Sequence, residues 1–270
     1  MRSSEIKNLG VAKHFYEYKG TIRERVKMAK NPNHDLFKQV PQPTQVDDYF
    51  HVFNKSNALN VLYWNSFFEM IEQIEGDIVE CGVGRGRSLI TILSLLELHA
   101  QKPGALERGV YALDSFCGFP EPTQNDKSAR NPQKGEWAKS PNGQFSYSPE
   151  NLERILVKAN ISERQISNLK VLEGFFQNTI HHVQTDSIAI LHLDGDLYES
   201  VKVPLINLEK NIACGGIIVL DDFTLEKEEN EAFPGSRLAT LEFLEEHPHY
   251  TMHESIRGTP YLLKESKSVQ

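Results

Sequence analysis

Cysteine is scarce in this chain, positive charge is in deficit, and no apolar run approaches the ~18 residues a membrane helix needs. The three cysteines, Cys81, Cys117 and Cys214, are widely spaced and none forms a C-x-x-C. That excludes a disulfide frame and a cysteine zinc site; it reads as reduced cytoplasmic thiols. Each is expected to be a small core filler rather than a nucleophile. Lys and Arg number 29 against 37 Asp and Glu, for a net charge of −8. Nucleic acid and anionic membrane both need a basic face, so neither is expected as the main partner. The first twenty residues have no apolar core and no small-residue cleavage site, so no signal peptide is expected. There is no internal repeat and no low-complexity tract.

What is present is a regular alternation. Residues 1–56 are polar and mixed, with three prolines near their end, and read as an N-terminal arm. From residue 57 to 270 one domain follows. "ALNVLYWNSFFEMIEQI" has apolar residues at 3/4 spacing and predicts an amphipathic helix. Then come "GDIVEC", "GVYALD", "LKVLEGFF", "SIAILHLD" and "GGIIVLDD" as strands, separated by helical stretches. Ser148-Pro149-Glu150 supplies a cap, a first-turn proline and a first-turn acid for one of those helices. Five strand–helix alternations imply a parallel sheet covered on both faces. Two last strands, "HYTMHESI" and "TPYLLKE", would form a hairpin with one antiparallel strand at the edge. The expectation is α/β: a Rossmann-like, doubly wound, mostly parallel seven-stranded sheet with a small N-terminal helical arm. Residues 115–147 lack periodicity and follow a strand's C-terminal end, where open α/β sheets bind ligands; they read as a mobile lid loop.

The turn "VECGVGRGRS" carries the first chemical signal. Glycines two apart, between a buried strand and a helix, let a ligand approach the backbone. The third glycine comes one residue too early for the dinucleotide fingerprint, and the Lys-Ser/Thr of a P-loop is missing. Glu80, two residues before Gly82, suits a ligand with an amino group, and the turn is similar to the E/D-x-G-x-G-x-G of S-adenosylmethionine-dependent methyltransferases. Asp114, ending the second strand, is placed to accept hydrogen bonds from a ribose diol. The plain alternatives are a glycine turn that only packs strand on helix, and an aspartate that only caps a turn.

The second signal is the pair of aspartate clusters. Strand four ends on Asp194-Gly195-Asp196 and strand five on Asp221-Asp222. Neighbouring parallel strands lie ~4.8 Å apart, so these carboxylates converge on one sheet edge. Crowded carboxylates raise one another's pKa, and a divalent cation removes the conflict. An all-oxygen donor set favours Mg²⁺, with Mn²⁺ or Ca²⁺ as alternatives. The plain alternative is a set of caps and ion pairs, with Asp196 capping the helix at Tyr198. His192 reads as a core or sub-site histidine, and His181-His182 as exposed.

With these elements in order, "GDIVECGVGRGRSL", "VYALDSFCGFPEP", "VLEGFFQNTI", "LHLDGDLYES" and "CGGIIVLDDF" together resemble the macrocin O-methyltransferase (TylF-like) family. The resemblance runs from Gly76 to Phe223. It departs from the family at Gln177-Asn178 and at Cys214-Gly-Gly. It implies a cytoplasmic, Mg²⁺-dependent O-methyltransferase acting on a sugar or other diol-bearing natural product. Glu80, Gly82, Gly84, Gly86 and Ser88 would bind the methionine side of S-adenosylmethionine. Asp114 would hold the ribose, Ser115 and Phe116 would flank the adenosine, and Gly174 and Phe175 would border the adenine. Asp194, Asp221 and Asp222 would bind the metal. Asp196 would be the base, with Asp194 as second choice. The partner would be a small hydroxylated acceptor. Aromatic residues of the arm, Tyr16, Tyr18, Tyr49, Phe50 and Phe53, would cover the site or pack on a second subunit of a homo-oligomer.

Two rivals make different demands. An NAD(P) oxidoreductase or nucleotide-sugar enzyme would need a hydride-transfer pair such as Tyr-x-x-x-Lys, none of which stands out, and it leaves both aspartate clusters unexplained. A non-catalytic binding protein on the same fold would have lost cofactor or metal residues, and none is lost.

Overall fold

The computed structural model describes residues 55–140, 143–223 and 231–266. The N-terminal arm through residue 54, with the aromatic cover expected there, lies outside the described residues; its last two residues, Lys55 and Ser56, already belong to the first helix.

The first helix, α1 (Lys55–Met70), buries Asn60, Tyr63, Trp64, Phe67 and Phe68. Those positions recur every three to four residues, so one stripe faces the core. Tyr63, Trp64 and Phe67 meet edge to face, with ring centres 4.8–5.9 Å apart. The helix ends where Arg108 donates to the carbonyls of Ile71, Ile74 and Gly76, each at 2.7 Å. These bonds fasten the turn that leads from the helix to the first strand.

Five parallel strands follow: β1 (Asp77–Cys81), β2 (Val110–Asp114), β3 (Leu169–Glu173), β4 (Ile188–Leu193) and β5 (Ile212–Leu220). All six residues of β4 are buried. A strand covered on both faces has no polar face to show, which is why its sequence reads as a continuous apolar run. On one face lie α1, α2 (Arg87–His99) and α3 (Pro149–Lys158); on the other lie α5 (Phe176–Thr179), α6 (Tyr198–Leu208) and α7 (Pro234–Glu246). Two hydrophobic cores result, one per face. Ser148 caps α3 as expected, its Oγ accepting from Asn151 N at 3.1 Å. A short helix α4 (Glu163–Asn168), capped by Ser162, was not expected from periodicity because it buries no residue.

The strand order is β3-β2-β1-β4-β5-β7-β6. The hairpin of β6 (Tyr250–Glu254) and β7 (Pro260–Lys264) forms, but its placement corrects the expectation. The antiparallel strand is internal: β7 pairs with β5, and β6 takes the edge. The reason is burial. The first three residues of β7 are buried, whereas β6 alternates buried with partly exposed positions, so the more apolar strand sits inside. No helix among the described residues is long and apolar enough to cross a membrane. Of the cysteines, Cys81 is a core residue; Cys117 and Cys214 are exposed, contrary to the expectation of core fillers, and all three are free.

Candidate active site

The order of the sheet brings the C-terminal ends of β1, β2, β4 and β5 together. The glycine turn joins β1 to α2 and hangs on Asp114. One carboxylate oxygen of Asp114 accepts from Val83 N and Gly84 N, both at 2.8 Å; the other accepts from Phe116 N at 2.6 Å. Three backbone N–H donors on one carboxylate make it a brace for the turn. Gly84 sits at φ 51° with no atom of the described residues within 4 Å of where a Cβ would be. Gly82 is different: at φ 99°, its missing Cβ would overlap the carbonyl of Asp194. Gly82 therefore exists for backbone contact with the strand-four end, and Gly84 borders open space. Gly86 is the N-cap of α2, and Ser88 lies half-buried in its first turn.

On the β2–β3 side, Gly174 N donates to the Asp114 carbonyl at 2.9 Å, which places Gly174 beside the brace. Phe175 is the N-cap of α5. Phe116 is buried at φ 51°. The Ser115 hydroxyl is already engaged, donating to Gly118 O at 2.7 Å and accepting from Cys117 N at 3.2 Å.

Glu80 is fully buried on β1. Burial pushes its carboxyl above the usual carboxylate range, and the hydrogen bond from His192 opposes this. His192 Nδ1 is 3.2 Å from Glu80 Oε1, and the Trp64 ring meets the imidazole edge to face at 4.8 Å.

The aspartates converge as expected. Carboxylate oxygens of Asp194, Asp221 and Asp222 lie within 4.8 Å of one another. Burial, with Asp221 and Asp222 close by, holds the Asp194 carboxyl well above its ordinary range. Burial does the same to Asp222, helped by Asp196 and Asp221. Asp221 goes the other way: burial pushes it up, but the Arg257 guanidinium overrides this and holds it low. Arg257 Nη1 is paired directly with Asp221 Oδ1, and its guanidinium also lies over the Tyr63 ring at 5.7 Å.

Asp196 is 5% exposed and raised by burial and then by Asp194. Its N–H donates to Asp222 Oδ2 at 2.8 Å. Its φ is 59°, and Leu197 N bonds back to Gly195 O at 2.6 Å, closing a tight three-residue turn on Asp196. A non-glycine residue in this conformation stores backbone strain, which concentrates at functional sites. Asp196 does not cap α6. Asp126 does so from residues 115–147, its Oδ1 accepting from Tyr198 N at 2.7 Å.

That segment is more built than its sequence suggests. Thr123 and Asp126 close a capping box around a 3-10 turn, Gln124–Asp126. Phe119, Trp137 and Phe233 surround the Arg130 guanidinium, 4.8–5.6 Å from the ring centres, and Arg130 pairs with Glu136 at 2.7 Å.

Sequence reasoning missed Arg257, which comes from a loop between antiparallel strands and carries no local signal. It also missed Asp126, although Thr123-x-x-Asp126 is a recognisable capping box. A Tyr-x-x-x-Lys spacing is in fact present, at Tyr198 and Lys202. Both are consumed in a clip between α6 and α7: the Tyr198 hydroxyl donates to Glu242 Oε2 at 2.6 Å, and Lys202 pairs with the same oxygen at 3.0 Å.

The arrangement is thus a backbone turn open to a ligand, next to an acidic, all-oxygen cluster. The family model of macrocin O-methyltransferase (TylF) matches residues 66–241. The chain is 29% identical over 157 residues to 8-demethyl-8-(2,3-dimethoxy-alpha-L-rhamnosyl)-tetracenomycin-C 4'-O-methyltransferase of Streptomyces olivaceus, covering 58% of this chain and 56% of that protein. It is 29% identical over 152 residues to demethyldecarbamoylnovobiocin O-methyltransferase of Streptomyces niveus, covering 56% and 54%. These matches span little more than half the length of either relative. Among solved structures, the O-methyltransferase NovP superposes with a TM-score of 0.63 at 20% identity, over 91% of this chain and 98% of that one, a likeness of fold. The chain belongs to the macrocin O-methyltransferase (TylF) family.

Proposed function

We propose that the chain moves a methyl group from S-adenosylmethionine to a hydroxyl of a sugar or other diol-bearing natural product, with a divalent cation, Mg²⁺ or Mn²⁺, at Asp194, Asp221 and Asp222. The observation that carries this is the three-carboxylate cluster within 4.8 Å, set beside a glycine turn with open space at Gly84. The donor set fits a hard cation: it is all oxygen, and burial and mutual repulsion raise two of its three carboxyls. Relatives named for O-methyl transfer to a rhamnosyl-tetracenomycin and to demethyldecarbamoylnovobiocin support a small, glycosylated acceptor.

When bound, S-adenosylmethionine supplies an electrophilic methyl, and a divalent cation lowers the pKa of a chelated hydroxyl. The chain's own residues do the rest. The Asp114 brace fixes the turn that admits the methyl donor. Glu80 serves the donor's amino end, and Asp114, Ser115, Phe116, Gly174 and Phe175 border its nucleoside. Asp196 takes the acceptor's proton on its carboxylate. Burial, with the Asp194 carboxylate close by, raises the Asp196 carboxyl and makes it a stronger base than an exposed carboxylate. The rest of the rate comes from holding two bound reactants in line.

Two measurements test this. Mg²⁺ at ~100 Kd should stabilise chelator-treated protein by about 2.7 kcal/mol, roughly 5–10 °C in Tm. Asp221→Asn and Asp222→Asn should abolish that shift while leaving binding of S-adenosylhomocysteine intact. Asp196→Asn should cut kcat on the order of 10²–10⁴-fold with cofactor affinity unchanged. A wild-type protein that binds neither S-adenosylhomocysteine nor a divalent cation would sink the reading.

A further inference from the structure

Two buried side-chain atoms beside the candidate site have no hydrogen-bond partner among the described residues: Glu80 Oε2 and His192 Nε2. Both residues are sealed, at 0% and 1% exposure. A buried carboxylate oxygen left unpaired costs at least ~1–3 kcal/mol, so its persistence points to a donor from beyond the described residues. The pairing that leaves it free is specific. Glu80 and His192 are register partners on β1 and β4, and Glu80 is the last residue but one before the glycine turn. His192 Nδ1 occupies Oε1 at 3.2 Å, and Trp64 holds the imidazole edge to face, at 89° between planes. An ionised Glu80 carboxylate only accepts, so with Glu80 ionised the proton of this bond sits on Nδ1 and His192 is the donor.

Resting on the cofactor reading above, we infer that His192 is a positioning residue for the methyl donor. It ties down one oxygen of Glu80 so that the other, closed over by protein here, is free to turn to the ammonium group at the donor's amino-acid end, directly or across one water. A cationic N–H donor suits an unpaired carboxylate oxygen, and a charge-assisted bond of this kind is stronger than a neutral one. A core histidine packed edge to face against tryptophan would explain the ring's burial, but not why its neighbour keeps an oxygen empty.

The inference separates two ligands. S-adenosylhomocysteine has the amino-acid end; 5'-methylthioadenosine lacks it. By calorimetric titration, His192→Leu and His192→Gln should weaken S-adenosylhomocysteine by about tenfold, the worth of one hydrogen bond to a charged group. Methylthioadenosine affinity should change less than twofold. His192→Asn, which keeps a donor where Nδ1 stands, should recover most of the loss. In a Glu80→Gln background, His192→Leu should cost nothing further, because the two residues act as one unit. Should the Leu variant fail to fold, the Asn–Gln comparison decides alone. Equal losses for both ligands, no loss for either, or additive losses with Glu80→Gln would each overturn the role of His192. A wild-type protein that binds neither ligand would instead overturn the cofactor reading itself, and this inference with it.

Discussion

At the scale of single residues, the acidic cluster is governed by a cation the chain itself supplies. Arg257 separates the three carboxylates: it holds Asp221 ionised while Asp194 and Asp222 are pushed up. Removing one partner of a buried pair costs 3–5 kcal/mol. This pair is 23% exposed on each side, so Arg257→Met should cost less, about 1–3 kcal/mol, in metal-free protein. The same variant should show a larger Tm rise on Mg²⁺ addition than the wild type, because the added cation then faces an uncompensated cluster. Thermal melts with chelator and with Mg²⁺ measure both effects. The aspartates were legible because parallel strands end on one edge and the residues that end them are visible as the last of an apolar run. Arg257 was not, since its partner lies 36 residues earlier and the loop between β6 and β7 has no pattern that says which way a side chain turns.

At the scale of elements, α6, α7 and the 115–147 segment are locked at one point. Asp126 caps α6 through Tyr198 N, and a Cβ on Gly235, in the first turn of α7, would overlap Asp126 Oδ1 and come within 2.7 Å of Tyr198 N. Gly235→Ala should therefore cost roughly 1–3 kcal/mol by overpacking, seen as a Tm lower by several degrees. Its effect on catalysis should exceed its effect on cofactor binding, since the disturbed cap lies two residues from Asp196. The helices of this lock were readable from apolar spacing. The lock was not, because Asp126 and Tyr198 are 72 residues apart and a cap delivered across that distance leaves only its local half, the Thr123–Asp126 box, in the sequence. The place of β7 was misread for a related reason: a hairpin's pattern fixes which strands pair with each other, not which of the two meets the sheet.

At the scale of the whole molecule, the far edge of the sheet is fastened by a different acid. Glu209 follows α6 and pairs with Lys264 of β7 at 3.0 Å and with His249 at 3.1 Å. Burial pushes its carboxyl up, but these two partners override burial and hold it below the usual range. The folded state then binds fewer protons at Glu209 than the unfolded state, so this contribution is complete above the unfolded carboxylate pKa and is lost as pH falls through the lower folded value. Glu209→Gln should be less stable than the wild type by roughly 1–2 kcal/mol at pH 7. Calorimetry should show that gap closing as pH falls below about 4. Near the middle of the sheet, the constraint is geometric. Gly82 and Asp194 touch backbone to backbone, and Asp194 N bonds Cys81 O at 2.9 Å. The turn proposed to carry the donor and the strand end proposed to orient the acceptor are thereby held at a spacing set by backbone rather than by side chains. Laboratory evolution toward new acceptors should accordingly leave these two stretches unaltered and accumulate its changes in residues 115–147 and in the stretch that follows Phe223.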